Sequence, residues 1–359
     1  MLSRIEDYAL IGDCETAALV GRDGSIDWLC LPRFDSDACF AAVLGSPENG
    51  RWRLSPQAAD PHVSRSYRGD SLVLDTQFDT DTGSVRIVDF MPVRSDHRPV
   101  LIRIVEGLSG SVPMQMQLTL RFGYGQVTPW VQAHPTGIQA IAGPDAVILN
   151  SDVEVRGQDL TTVAEFVIQS GQQIAFSLAW YHSWEDPPQA PNSKDLLGQT
   201  LDWWQEWVSH CNYQGKWRSA VVRSLVTLKA LTYAPTGGIV AAPTTSLPEQ
   251  IGGSRNWDYR FCWLRDATMT LFAFMSAGYE QEAADWREWL LRAAAGNAAD
   301  LQIAYGIRGE RRLTEWTIDW LAGYENSKPV RIGNAAFQQL QLDVYGELMD
   351  AMFQSRTTG

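Results

Sequence analysis

Apolar and polar positions along this chain follow two periods, one for each half. Between residue 70 and about 185 they alternate. Val85 and Ile87 follow a turn at 79–83, and Val112, Met114, Met116, Leu118, Leu120, Phe122 and Tyr124 alternate with Gln115, Gln117, Thr119 and Arg121. A period of two puts one face against a core and the other in water, so a long strand is expected here. Further strands are expected at 146–149, 161–169 and 174–180, bounded by Gly143-Pro144-Asp145 and Ser170-Gly171. Nearer the start, Gly21-Arg22-Asp23-Gly24 separates the apolar run 17–20 from 26–31, which is a hairpin signal. Many strands joined by short turns without intervening helices argue for an antiparallel β-sandwich over residues 1–185.

The alternation breaks at Glu185-Asp186-Pro187-Pro188-Gln189-Ala190-Pro191-Asn192, a stretch that reads as a domain boundary. Residues 196–211 then read as a helix carrying Trp203, Trp204 and Trp207 as packing residues, so 186–215 is expected to be a linker helix.

From 216 to 359 the period is helical. Val221, Val222, Leu225, Leu228 and Leu231 form a stripe over 216–233. Residues 262–277 are apolar nearly all round, the mark of a helix buried on every side. Residues 280–295 turn Ala283, Trp286, Leu290 and Ala293 inward and Glu282, Asp285, Arg287, Glu288 and Arg292 outward, and Gly296 ends them. A last helix is expected over 334–353, with Phe337, Leu340, Val344 and Leu348 on one face. Buried helices beside half-wet ones describe two concentric layers, as in an α/α barrel. Only about four such helices precede Gly359. Their apolar faces would lack partners, so the expectation is a chain belonging to a longer protein.

Composition narrows the partners. The net charge of −13 is dispersed, with no basic stripe, which makes nucleic acid and anionic membranes poor partners. The five cysteines are scattered without CxxC or metal spacing and read as reduced thiols of a cytoplasmic protein. Glu6, Asp7, Asp13 and Glu15 exclude an apolar signal segment within residues 1–20. No run approaches the ~18–20 apolar residues that cross a bilayer. His62, His97, His134 and His182 are too far apart to suggest a site. Homo-oligomerisation is left open.

The densest chemistry lies in Arg255-Asn256-Trp257-Asp258-Tyr259-Arg260-Phe261-Cys262-Trp263-Leu264-Arg265-Asp266, where two acids, three arginines and four aromatics share one stretch. Flat aromatic faces among groups that make paired hydrogen bonds suit a sugar. A buried ion-pair network capping a core helix would use the same residues, and the residues alone leave both readings open.

The stretch resembles the first substrate-binding motif of glycoside hydrolase family 15, the glucoamylase and trehalase-like family. The likeness extends to the loop from Pro235 to Glu249 and to Gly12-Asp13-Cys14, Gly24-Ser25-Ile26-Asp27-Trp28 and Pro32-Arg33-Phe34-Asp35. It also takes in Gly309-Glu310-Arg311-Arg312-Leu313-Thr314-Glu315-Trp316, then Gly323-Tyr324, and the run from Ser327 to Asn334. One departure is Thr317, where many members carry an acid.

The resemblance implies a multidomain β + α protein, an antiparallel β-sandwich followed by an (α/α)6 barrel that is incomplete within 216–359. It implies an exo-acting inverting α-glucosidase, glucoamylase-like or trehalase-like, that acts on an α-glucoside or oligosaccharide without cofactor or metal. Tyr259, Trp263, Arg265 and Asp266 would line the pocket for the non-reducing glucose, with Trp257 beside them and Arg331 and Asn334 at the mouth. The chemistry agrees. Arg265 and Asp266 can make charge-assisted bonds to adjacent hydroxyls, and a carboxylate is favoured at a helix N-terminus. Tyr259 can place its electron-rich ring near an oxocarbenium charge. Asn334 equally suits a helix cap. Asp27, Trp28, Arg33 and Asp35 could reach the site or serve as turn residues. Both catalytic glutamates of the family would lie beyond Gly359, so none of Glu249, Glu310, Glu315 and Asp319 is assigned to catalysis. The alternative is a non-catalytic carbohydrate-binding or structural protein.

Overall fold

The computed structural model describes residues 4–94, 96 and 98–357. They form two compact units. The first takes residues up to Asp13, Ala17–Pro32 and Ser36–Gln205; the second takes Cys14–Thr16, Arg33–Asp35 and residues from Glu206 onward.

The first unit is a fifteen-stranded antiparallel sheet among the described residues. Its spine is the strand Val100–Thr119. The first half of this strand pairs with Gly83–Phe90 and Gln173–His182. Its second half pairs with Arg51–Pro56 and Thr161–Gln169. The changeover lies at Gly107–Gly110, where a Cβ on Gly107 would stand 2.1 Å from the Gln169 carbonyl oxygen and Gly110 adopts φ +67°. Only glycine tolerates that approach and that backbone without strain.

The alternation expected after residue 111 holds as far as Leu120, whereas Phe122 and Tyr124 lie in a short turn, Phe122–Gly125, beyond the strand's end at Thr119. Val112, Met114, Met116, Leu118 and Leu120 are buried in one core, to which residues of both halves of the sheet contribute. Trp52 meets Phe176 edge-on there, with centroids 6.5 Å apart. Burying each such side chain contributes roughly 1.5–3 kcal/mol. The hairpin over 21–24 joins Ala17–Val20 to Ser25–Cys30, and Gly24 at φ +79° lies against the Leu54 carbonyl.

A charge also sits in this core. Arg103 is fully buried and pairs with Asp89 at 2.7 and 3.2 Å. It donates to the Trp52 and Gly24 carbonyls at 2.8 Å each, and its guanidinium stands 5.3 Å from the Trp52 ring centroid. Each nitrogen of the guanidinium therefore has an acceptor, which is what makes such burial tolerable. Asp27 and Trp28 are likewise buried, and the Asp27 carboxylate accepts from Tyr8 at 2.7 Å and Ser25 at 2.9 Å. The histidines are dispersed: His62 beside Asp79, His134 beside Thr136 and His182 stacked on Trp184. His97 lies outside the described residues.

The helix Ser193–Ser209 links the sequence of the two units. Leu196, Leu197 and Leu201 pack on Val88, Phe90 and Ile102 of the sheet unit. Trp207, in the second unit, stacks on Tyr279 at 4.2 Å.

The second unit holds the helices Arg218–Ala230, Leu264–Ser276, Glu280–Ala293 and Asp343–Thr357. Short two-stranded ribbons sit between them. Three expectations need correction. Leu264–Ser276 is not buried all round, because Met269 is 58% exposed and Arg265 and Asp266 are also exposed. Glu282 turns inward, because Lys229 and Trp207 supply partners for its carboxylate. The helix expected from 334 starts only at Asp343. Asn334 caps a short 3-10 turn at Ala335–Gln338, and Gln339 then leaves the helical region with ψ 146°. Leu340 and Phe353 are left exposed, and Val344 is buried.

Among the described residues no helix is long and apolar enough to cross a membrane. All five cysteines are buried and none is joined in a disulfide.

Candidate functional site

The site is built from the loop that links two ribbons to a helix. Asn256–Asp258 pairs with Thr245–Pro248, Cys262–Trp263 pairs with Ala304–Tyr305, and the helix Leu264–Ser276 starts at once. Between Asp258 and Cys262 the chain continues beside the segment 241–245, with the Tyr259 and Phe261 carbonyls accepting the Ala242 and Ala241 N–H at 2.9 and 3.0 Å, and one further contact anchors it. That contact is the ion pair Asp258–Arg260, in which both residues are buried. Arg260 gives Nε to Asp258 Oδ1 at 2.9 Å, Nη2 to Oδ2 at 2.7 Å, and its own backbone N–H to Oδ1 at 3.1 Å. Charge-assisted forks of this kind fix geometry as well as energy.

Above that anchor the Tyr259 and Trp263 rings lie 5.5 Å apart at 53°, and Phe261 borders Trp263 at 6.5 Å. Trp263 has extended backbone and occupies the N-cap position, so Arg265 and Asp266 fall in the first helical turn. Their side chains are 46% and 49% exposed and stand 3.9 Å apart, and Arg265 also reaches Asp343 at 3.4 Å. Both line a hollow of about 300 Å³ together with Leu228, Leu231, Ile239, Val240, Met269 and Thr270. The Tyr259 hydroxyl is pushed above the usual phenol range, first by burial and then by the negative charges of Glu249 and Asp266, against the opposing pull of Arg255. Tyr259 thus lies within electrostatic reach of Asp266.

The remaining sequence candidates belong to a packed wall. Arg331 lies over the Trp257 ring at 4.4 Å, pairs with Glu315 at 3.3 Å and donates to the Ser254 and Asn256 carbonyls. Asn334 is buried; it accepts from Ala336 N at 2.9 Å and donates to the Asp258 carbonyl at 3.0 Å. The motif thus contains both of the arrangements that its residues allowed. Asp258 and Arg260 form the buried ion pair, while Arg265 and Asp266 form an open, charged rim on a hollow whose lining does not include the Tyr259 or Trp263 ring.

Of the seven candidates, Tyr259 and Trp263 come together as rings, Arg265 and Asp266 as charges, and Trp257 and Arg331 as a stack. Asn334 lies under Asp258. Arg33 and Asp35 group with the helical unit and pair with each other at 2.9 Å. Nearby acids are engaged: Glu249 with Arg255 at 2.8 Å, Glu310 with Arg308 at 2.7 Å and Glu315 with Arg331. Sequence reasoning did not single out Asp258, Arg260 or Asp343. The Asp-x-Arg spacing inside the motif was the available signal for the first two. For Asp343 there was none, since it comes from a helix 78 residues away.

Residues 2–183 match the trehalase-like N-terminal domain, and residues 215–359 match the glycosyl hydrolases of family 15. A trehalase of Mycolicibacterium smegmatis is 34% identical over 97% of this chain and 56% of its own length. A trehalase of Thermoplasma volcanium is 34% identical over 99% of this chain and 58% of its own. Trehalase 1 of Sulfolobus acidocaldarius is 33% identical over 97% and 60%. The chain therefore spans little more than half the length of the curated relatives it matches. On the strength of the two matches, and of the motif that joins an aromatic pair to a charged helix start, the chain belongs to family 15 of the glycosyl hydrolases, with a trehalase-like N-terminal domain.

Proposed function

We propose that this chain provides the N-terminal β domain and the glucose-gripping part of an exo-acting inverting α-glucosidase, with trehalose or a starch-type oligosaccharide as substrate. The observation that carries the reading is that Arg265 and Asp266 open onto one hollow at a helix start whose N-cap residue, Trp263, pairs with the Tyr259 ring. A pyranose has apolar faces and equatorial hydroxyls. The rings offer the faces a stacking surface, and the exposed guanidinium and carboxylate offer paired hydrogen bonds to neighbouring hydroxyls. The trehalase names of the relatives support trehalose as the first substrate to test.

In the architecture we propose, residues 1–185 form the β-sandwich, 186–215 the linker helix and 216–359 the first helices of an (α/α)6 barrel. Inverting hydrolysis needs an acid at the leaving oxygen and a base for water, with carboxyls roughly 6.5–9.5 Å apart. Neither role is assigned to a residue here, because Glu249, Glu310 and Glu315 are each held by an arginine.

Those arginine-held acids favour a second reading, a protein that binds an α-glucoside without cleaving it. One panel separates the two. With the protein at the full length of its relatives, glucose release from trehalose, maltooligosaccharides and isomaltose is measured beside calorimetric binding of the same sugars and of 1-deoxynojirimycin. Release with inversion supports the hydrolase, binding without release supports the binding protein, and the absence of both overturns the pocket.

A further inference from the structure

The Asp258 carboxylate has more partners than a structural ion pair requires, and they converge from distant parts of the helical unit. Oδ1 accepts the Arg260 backbone N–H and Nε; Oδ2 accepts Arg260 Nη2 and, at 3.1 Å, the backbone N–H of Gly333. The Asp258 carbonyl accepts Asn334 Nδ2 at 3.0 Å. Arg260 in turn points Nη1 at the Phe34 carbonyl at 3.4 Å, and Phe34 N–H is bonded to the Glu15 carbonyl at 3.0 Å. One buried acid thus ties the 256–263 segment to the turn after Val330–Ile332, and its arginine ties the same segment to Arg33–Asp35.

Gly333 explains why the tie is tight. It adopts φ +76°, and a Cβ there would stand 2.0 Å from the Thr314 carbonyl oxygen. The N–H is therefore delivered to Asp258 by a backbone turn that glycine alone accommodates. Tyr259 lies between the two members of the pair in sequence, and Trp263 follows Arg260 by three residues. The rings rise from a backbone whose anchors are all buried, whereas Arg265 and Asp266 lie beyond it on the helix.

We propose that Asp258 and Arg260 are the positioning residues of the sugar pocket. They touch no ligand; they hold the peptide that presents Tyr259 and Trp263, and they couple the pocket to the turns at Gly333 and Phe34. The proposal deepens the glucose-pocket reading and rests on it for the ligand alone. Preorganised contact groups need a second layer that locks them, and loosening that layer weakens binding more than it weakens the fold.

The test compares the whole chain with Asp258→Asn, Arg260→Lys and the neutral pair Asp258→Asn/Arg260→Met. Hydrogen exchange is followed along the chain, and 1-deoxynojirimycin binding is followed by calorimetry. In variants that fold cooperatively, exchange is expected to rise over 256–263 and 331–335 while the helix Glu280–Ala293 stays protected, and Kd is expected to rise about tenfold or more. Arg260→Lys keeps the charge but loses the fork, so it should fall between the wild type and Asp258→Asn. A folded variant with unchanged exchange and affinity overturns the proposal. Unfolding of all three variants also overturns it, because the pair would then be a folding determinant. If the unaltered chain does not bind the iminosugar, the pocket reading fails while the exchange pattern still decides whether the pair holds the loop.

Discussion

Trp207 donates its indole N–H to the Glu282 carboxylate across 2.5 Å, and Lys229 stands 3.1 Å from the same oxygen. Three helices of the chain meet at this one acid, which belongs to a helix face that the pattern of residues turns toward water. Glu282→Ala should lower the free energy of unfolding by about 3–5 kcal/mol, because it leaves Lys229 without its buried partner. The double change Lys229→Met/Glu282→Gln should recover part of the loss. Denaturant midpoints at neutral pH measure both, and an unchanged midpoint in Glu282→Ala would show that the contact contributes nothing.

The same group gives a pH dependence of fixed sign. Burial pushes the Glu282 carboxyl up, while Lys229, the Trp207 N–H and backbone N–H pull it down, and the outcome lies below the ordinary glutamate value of 4.5. A depressed folded-state pKa contributes stability that is present above the unfolded value and lost as pH falls through the folded one. The contribution should therefore hold from neutrality down to about pH 5 and decline below it. The stability gap between the wild type and Lys229→Met should narrow over the same acid range in denaturation series. A gap that widens on acidification would contradict the assignment.

In the sheet unit the corresponding liability is Asp89. Removing it strands Arg103, which is fully buried and has Asp89 as its charge partner. Asp89→Ala should cost about 3–5 kcal/mol, and Asp89→Leu combined with Arg103→Met should cost less than the single change. Calorimetric unfolding of the sheet unit distinguishes the two. Equal losses would mean that the methylene packing of Arg103, not its charge, carries the effect.

At the proposed pocket the expectation is reversed. Arg265 and Asp266 are about half exposed, so Asp266→Ala should leave the melting midpoint within the range of surface substitutions, about 0.5 kcal/mol. Sugar binding should nevertheless fall below detection in calorimetry. A variant that melts normally and binds normally would remove Asp266 from the pocket.

By itself the sequence determined which positions of the sheet's spine face water and where the chemistry is concentrated. The two-residue period of Met114, Met116 and Leu118 marked the spine of the sheet, because burial on one face of a strand leaves that signature regardless of its neighbours. The motif from Arg255 to Asp266 was legible because one short stretch carries rings and both signs of charge. Tertiary structure alone decided which charge meets which. Glu282 and Trp207 are 75 residues apart, as are Asp258 and Gly333, and no periodicity encodes a partner at that distance. It also split the motif into a buried pair and an open rim, and left Met269 exposed on a helix whose composition reads as core. Hydrophobic pattern reports the average environment of a position. The identity of a carboxylate's donors depends on the path of the chain between them.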